Sequence, residues 1–303
     1  MRVMGTPHVT KAGLLTALRD AFTAIARGDT SVEGQHAADL PGGGDVIHYP
    51  AVLPDAGVYT VKISPYLPQP AGRAVVTAWT LVISLQTGRP IALLDAAGLT
   101  VERTAATSVL AADLLLPPDA TQAAVVGYGP IGRAHARYLH HLRPDMAITA
   151  VARNRINDPD PPVAVADSIE EAVADADLVM LCTSAAEDVI DPRALAASAV
   201  ITSISTNTPG AREIPADAVP ALDVYVDAHT SLSIATELQT AVTNGWDPGE
   251  VRGDLADLIT RSARPPRQDR PVFFRSVGLG IEDAAAAWTA LQESRPPSPS
   301  TTG

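Results

Sequence analysis

The stretch "AAVVGYGPIGRAHARYL", residues 123–139, decides the fold. An apolar run enters a glycine-rich turn and leaves it as a helix, with glycines at Gly127, Gly129 and Gly132, the spacing of a dinucleotide-binding turn. Gly127 is expected to permit the tight bend, Gly129 to let the backbone approach a pyrophosphate, and Gly132 to let helix pack closely on strand. Pro130 and Ile131 open the helix, whose N-terminus faces the phosphates. Spacing alone also occurs in ordinary turns. Here a strand pattern precedes it, a helix follows, and a second strand, "AITAVARN", ends near residue 152.

The end of that second strand bears on which nucleotide is held. A site for NAD places Asp or Glu there to accept hydrogen bonds from the ribose hydroxyls. This chain has Arg153, Asn154 and Arg155 instead, with Arg153 lying 26 residues after Gly127. A carboxylate repels a 2′-phosphate, whereas a guanidinium grips it through two parallel bonds. The expected cofactor is NADPH (NADP+) in preference to NADH; the alternative is that both arginines are merely solvated loop residues.

Downstream of the turn, strand and helix patterns alternate: "SIEEAVADAD", "LVMLCTS", "AVITSIS", "LDVYVD" and "SLSIATELQTAV". This rhythm predicts an α/β Rossmann domain over 118–276, a parallel sheet with helices on both sides. Upstream the pattern differs. Thr10 is placed to cap a helix with apolar face Leu14, Leu15, Leu18, Phe22 and Ile25, ending at Gly28. From 45 to 95, short β-branched runs are divided by Pro and Gly, and "LQTGRP" reads as a hairpin connection, so a mainly antiparallel sheet is expected. A helix with Thr100 as its cap follows, and "PPDA" at 117–120 marks a boundary. Residues 1–117 are therefore read as a mixed α+β dimerisation and substrate domain. A C-terminal helix at about 277–294 completes it, and 295–303 form a disordered tail.

Composition limits the function classes. The net charge of −12 argues against nucleic acid or an anionic membrane as partner. No apolar run reaches membrane-spanning length and no leader pattern is present, so a cytoplasmic protein is expected. The single cysteine, Cys182, excludes an internal disulfide and reads as a small buried strand-end residue. The seven histidines are scattered without metal-ligand spacing, so no metal is expected; His48 and Tyr49 are kept as possible proton donors. Of 22 basic residues only Lys11 and Lys62 are lysines.

Three segments, "VERTAATSVLAADLL", "SISTNTPGAREIP" and "VFFRSVGLGIEDAAAA", together with the glycine turn, resemble the ornithine cyclodeaminase/μ-crystallin family over roughly residues 10–290. The resemblance implies a homodimer whose small-molecule substrates are imines or amino acids. Hydride passes to or from a carbon that bears nitrogen and adjoins a carboxylate. It assigns Lys62 in "TVKIS" and Arg103 in "ERTAATS" to the substrate carboxylate or the imine proton, and Thr104 to a phosphate. Thr183 and Ser184 in "CTSAA" fall to the adenosine side, and Ser276, Val277 and Gly278 to the nicotinamide. The alternatives are a lysine reaching water from an edge strand and an arginine on a surface helix.

Three departures qualify this. Asn207 stands where cyclodeaminases carry an aspartate that acts on the substrate amine, and an amide is no base at neutral pH. The second arginine that grips the substrate carboxylate in cyclodeaminases would fall near Gln35, which is uncharged, and the usual lysine of "FKSVG" is Arg275, read as a surface exchange. The expectation is an NADPH-dependent reductase of cyclic ketimines such as Δ1-pyrroline-2-carboxylate or Δ1-piperideine-2-carboxylate, with Lys62, Arg103 and Asn207 at the reacting centre. A cyclodeaminase or amino-acid dehydrogenase, and a non-catalytic NADPH-binding protein, are the alternatives.

Overall fold

A computed structural model of the 303-residue chain describes residues 1–5, 7–69, 74–205 and 210–294. Asn207 and the expected tail at 295–303 lie outside the described residues. The chain divides into two compact units, Met1–Ala21, Glu33–Arg103 and Gly280–Gly303 forming one, Phe22–Val32 and Thr104–Leu279 the other.

The first unit is built on a seven-stranded sheet of β1 (Arg2–Met4), β2 (His36–Asp39), β3 (Asp45–Leu53), β4 (Val58–Leu67), β5 (Val75–Val76), β6 (Trp79–Ser84) and β7 (Pro90–Asp95). Its order is β1-β7-β6-β4-β3-β2, with β5 paired to β4. The antiparallel core is the one that the run-and-turn pattern predicts, and "LQTGRP" joins β6 to β7. Two edge strands escaped the sequence reading: β1, parallel to β7, and β2, paired to β3. Each is only three or four residues long, too short for a periodic signal.

Alternation along the strands divides the sheet into two faces. Tyr49, Ala51, Thr60, Lys62, Thr80, Val82, Ala92 and Leu94 share one, because they stand directly opposite one another across β3, β4, β6 and β7, and all are buried there. The other face carries the cross-sheet row Pro50, Val61, Leu81 and Leu93, with Val52, Tyr59, Ile83, Ile63 and Trp79 beside it. Those residues are half-buried or exposed.

Two helices follow the sequence pattern, with one correction. In α1 (Lys11–Arg27), Thr10 Oγ1 accepts from Gly13 N at 3.1 Å, and Leu14, Leu15, Leu18 and Phe22 are buried. Gly28, at φ +75°, ends it. The next helix, α2 (Ala97–Leu115), begins three residues before Thr100, so Thr100 is not its cap. The Asp95 carboxylate accepts from Ala97 N instead, and Thr100 Oγ1 donates back to Ala96 O.

The second unit holds a parallel sheet of β8 (Gln122–Val126), β9 (Ala147–Val151), β10 (Ala164–Val165), β11 (Leu178–Leu181), β12 (Val200–Ser203), β13 (Asp223–Val226) and β14 (Val272–Arg275). Its order, β10-β9-β8-β11-β12-β14-β13, reverses direction between β8 and β11, the topological switch point where open α/β sheets bind ligands. Around it lie α3 (Pro130–Leu142), α4 (Ile169–Val173), α5 (Thr236–Thr243) and α6 (Leu255–Thr260). The Rossmann reading stands; that β14 inserts between β12 and β13 was not legible.

The C-terminal helix, α7 (Gly280–Glu293), returns to the first unit and packs on β3, β4 and β6. Gly280 makes this contact possible: a Cβ there lies 2.2 Å from Pro50 O. Glu293 accepts from Thr10 N and Oγ1 at 2.8 and 2.6 Å, fastening the far end of α7 to the start of α1.

Candidate active site and dinucleotide site

In the first unit the sequence-predicted Lys62 and Arg103 are brought into one buried cluster, together with two carboxylates that the sequence reading missed. Lys62 projects from β4 and Arg103 from the first two turns of α2. Asp283, in the first turn of α7, meets both: Oδ2 lies 2.8 Å from Lys62 Nζ, and Oδ1 accepts from Arg103 Nε at 2.9 Å. Glu282 accepts from Arg103 Nη1 at 2.8 Å. Tyr49 lies directly across from Lys62 on β3, its ring centroid 4.1 Å from Nζ. All five side chains are buried.

Burial pushes the Lys62 ammonium down to about 8; Asp283 opposes that fall and Arg103 adds to it. Arg103 is raised above its ordinary value, because Asp283 and Glu282 outweigh the burial that opposes its charge. The signal that marked these acids was an adjacent Glu–Asp pair opening an otherwise apolar, alanine-rich helix. His48 does not join the cluster. Strand alternation turns it to the opposite face from Lys62, where its ring stacks on His36 at 6.1 Å.

The second unit carries a cavity of about 990 Å³ at the switch point. It brings together the predicted Gly127, Gly129, Arg153, Asn154, Arg155, Thr183 and Ser184, and adds Tyr128 and Arg133. Gly127 adopts φ +94°, and a Cβ there lies 2.7 Å from Cys182 O; at Gly132 a Cβ lies 1.9 Å from Gly127 O. Both glycines are therefore obligatory for the turn. At Gly129 a Cβ meets nothing within 4 Å, and this residue caps α3 without any side-chain bond. Open space thus stands before the unpaired N–H groups of a helix start, which fits a pyrophosphate. Pro130, Ile131 and Gly132 form the first turn of α3 and do not line the cavity, nor do Thr104, Val277 and Gly278. No carboxylate occupies 153–155, and their side chains are exposed at the cavity.

Two buried carboxylates hold the loops beyond the strand ends. Glu213 Oε1 accepts from Thr183 N and Oγ1 at 2.8 and 2.7 Å, and Oε2 accepts from Ser203 Oγ at 2.7 Å and from Ile204 N and Ser205 N. Asp227 Oδ2 accepts from Ser276 Oγ, Val277 N and Gly278 N at 3.0, 2.7 and 3.0 Å. Its Oδ1 accepts from Ala228 N and Ser231 Oγ. Burial, with Glu213 nearby, pushes the Cys182 thiol well above its ordinary value, so it is not a ready thiolate.

Two further residues depart from expectation. His229, isolated in sequence, meets Asp254 and Asp257 with ligand atoms within 4.8 Å of one another. Those carboxylates already cap α6 reciprocally, and Asp257 also accepts from Ser262 Oγ. Arg275, read as a surface exchange, is instead buried: its Nε donates to buried Glu237 at 2.5 Å, and its Nη1 donates to Ser276 O. A run of four buried strand residues, "VFFR", hides the position.

Two units, one built on a parallel sheet with a glycine-turn cavity and the other on a sheet with buried paired cations, describe a dinucleotide-dependent class of protein. The chain matches the ornithine cyclodeaminase/mu-crystallin family over residues 6–295 and belongs to it. It is 43% identical, over 92% of this chain and 91% of the relative, to an NAD(P)H-dependent anabolic L-arginine dehydrogenase, DauB, of Pseudomonas aeruginosa. It is 26% identical to the ketimine reductase mu-crystallin of Mus musculus over 69% of this chain and 67% of the relative. A probable ornithine cyclodeaminase from Bordetella pertussis has the same fold, with TM-score 0.83 and 27% identity over 96% of both chains. So does a Thermococcus litoralis Δ1-pyrroline-2-carboxylate reductase solved with NADH and L-proline, at TM-score 0.88 and 22% identity over 97% of both chains. No helix among the described residues is long and apolar enough to cross a membrane.

Breaking the Arg275–Glu237 pair is expected to cost about 3–5 kcal/mol, because it strands a buried charge. Arg275→Met in a urea unfolding series tests this; a midpoint equal to that of the unaltered protein contradicts a buried ion pair.

Proposed function

We propose that the protein is an NADPH-dependent reductase of 2-imino acids, substrates whose C=N carbon bears a carboxylate. Its family and its 43% identity to an NAD(P)H-dependent dehydrogenase support the broader class, an NAD(P)H-dependent oxidoreductase acting on C=N/CH–NH bonds. The observation that carries the finer reading is the buried pair Lys62 and Arg103. Arg103 spends Nε and Nη1 on its two carboxylates, whereas a guanidinium has five N–H donors in a fork that matches a carboxylate. Arg103 with Lys62 orients the substrate carboxylate. An ammonium poised at about 8 is charged at neutral pH and releases its proton readily, so Lys62, or a water it positions, protonates the imine nitrogen. Asn207, assigned near that nitrogen by the family resemblance alone, is an amide and offers no base. Reduction of an electrophilic iminium needs less acid–base help than oxidation of an amine, which favours the reductive direction for a chain with an amide at this position.

The cofactor, when bound, supplies the hydride. Gly127, Gly129 and the start of α3 would hold its pyrophosphate, while Arg153 and Arg155 would hold the 2′-phosphate. Thr183 and Ser184 would serve the adenosine side, while Thr104 for a phosphate and Val277 and Gly278 for the nicotinamide rest on the family resemblance alone.

Cyclic ketimines such as Δ1-pyrroline-2-carboxylate are one substrate group. A second reading, an open-chain 2-imino acid with a cationic side chain, is favoured by the 43% identity to an arginine dehydrogenase. We also infer a homodimer that covers the open face of the first sheet. That face carries the apolar row Pro50, Val61, Leu81 and Leu93 on a strongly acidic chain, and two copies of one such row are self-complementary about a two-fold axis.

NADPH oxidation with the cyclic imines, set against a guanidino 2-oxo acid plus ammonia, separates the two substrate groups; no oxidation with either overturns both. Lys62→Met is expected to lower kcat by about 100-fold or more. Arg153→Ala is expected to raise the KM for NADPH about tenfold and leave that for NADH unchanged; equal effects on both contradict the 2′-phosphate assignment. Val61→Glu places a charge in the apolar row and is expected to give monomers by light scattering. A variant that keeps the mass of the unaltered protein contradicts that interface.

A further inference from the structure

Asp283 is in ionic contact with both buried cations: its two oxygens meet an ammonium from β4 and a guanidinium from α2. Glu282, its neighbour, is ion-paired to Arg103. We propose that Asp283 is a positioning residue of the imino-acid site, fixing the spacing between Lys62 and Arg103 and keeping Lys62 charged until it releases its proton. The inference rests on the functional reading given above.

The way α7 is seated supports it. Gly280 lets the helix touch the backbone of β3, with a Cβ there only 2.2 Å from Pro50 O, and this brings the first turn onto the buried sheet face. Residues Glu282 and Asp283 then reach the cations from a helix start, where the unpaired N–H groups favour negative charge. Stability alone does not account for such a cluster. Removing ions from water is costly, and apolar residues of similar volume pack as well or better. Ile281, Ala284 and Ala285 on the same helix show that apolar residues are accommodated there. Four buried charges at this point therefore call for a reason beyond packing.

The groups facing Lys62 are few. Asp283 and Glu282 approach from α7, Arg103 from α2 and the Tyr49 ring from β3, while Thr80, opposite on β6, is uncharged. Asp283 makes the largest contribution raising the Lys62 pKa, against the burial and Arg103 that lower it. Removing its charge lowers the ammonium's pKa, so the proton is lost at a lower pH. Protonated Lys62 is the acid of the proposed reduction, and the alkaline limb of the kcat profile must fall with it. The sign is fixed: the limb moves down, not up.

The chain has only two lysines, Lys11 and Lys62, so selective ¹³Cε-lysine labelling isolates the Lys62 titration by NMR without reference to turnover. In Asp283→Asn, the Lys62 midpoint and the alkaline limb of kcat are expected to move down together by about one pH unit or more. Glu282→Gln is expected to move both by less. A midpoint that stays where the unaltered protein has it overturns the proposal. So does a midpoint that moves while the kcat limb does not, since that outcome makes Asp283 a structural partner only. If Asp283→Asn fails to fold, Asp283→Glu keeps the charge but displaces it by a methylene. It is expected to hold the midpoint and lower kcat about tenfold or more, and kcat equal to that of the unaltered protein overturns the proposal. Should the unaltered protein reduce no 2-imino acid, the functional reading fails separately, and the proposed role of Asp283 falls with it.

Discussion

The buried contact of Asp283 with Lys62 and Arg103 is the interaction on which the first unit depends. Three elements far apart in sequence, β4, α2 and α7, converge there, and each contributes charge that is costly to leave alone in the interior. The close seating of Gly280 on β3 makes the convergence possible. A side chain at that position pushes the helix start away from the sheet and separates acids from cations. The same arrangement sets the charge balance at Lys62. Burial and a neighbouring guanidinium pull the ammonium toward neutrality, and the carboxylates keep it from falling further.

The second unit uses the same device for a different purpose. Glu213 and Asp227 sit beneath the loops that follow strands of the parallel sheet and take up backbone and hydroxyl donors that have no ladder partner. Thr183 on one loop and Val277 and Gly278 on another owe their placement to these two acids. Gly127 and Gly132 supply the complementary constraint, a turn so tight that neither tolerates a side chain. Rigid loop ends above an open helix start are the arrangement a dinucleotide requires.

Much of this was legible in the chain. Glycine spacing and alternating strand and helix patterns located the parallel sheet, and β-branched runs located the antiparallel one. Lys62 was marked by its isolation in an apolar strand. What escaped had physical causes. The partners of Lys62 and Arg103 are about 180 to 220 residues away, and nothing in local periodicity links an acidic pair at a helix start to a distant cation. Arg275 was misread because a charge at the end of a strand ordinarily meets water, whereas here Glu237 meets it inside. Thr100 looked like a helix cap, but the helix already begins at Ala97, whose N–H donates to Asp95.

In the proposed function, recognition of a carboxylate on the reacting C=N carbon falls to two buried cations. It is tested most directly by a matched pair of cyclic imines, identical except that one carries the carboxylate and the other hydrogen at that carbon. Without the carboxylate, kcat/KM is expected to fall by about 100-fold or more, as when a buried charge loses its partner. Equal kcat/KM for the two imines contradicts it.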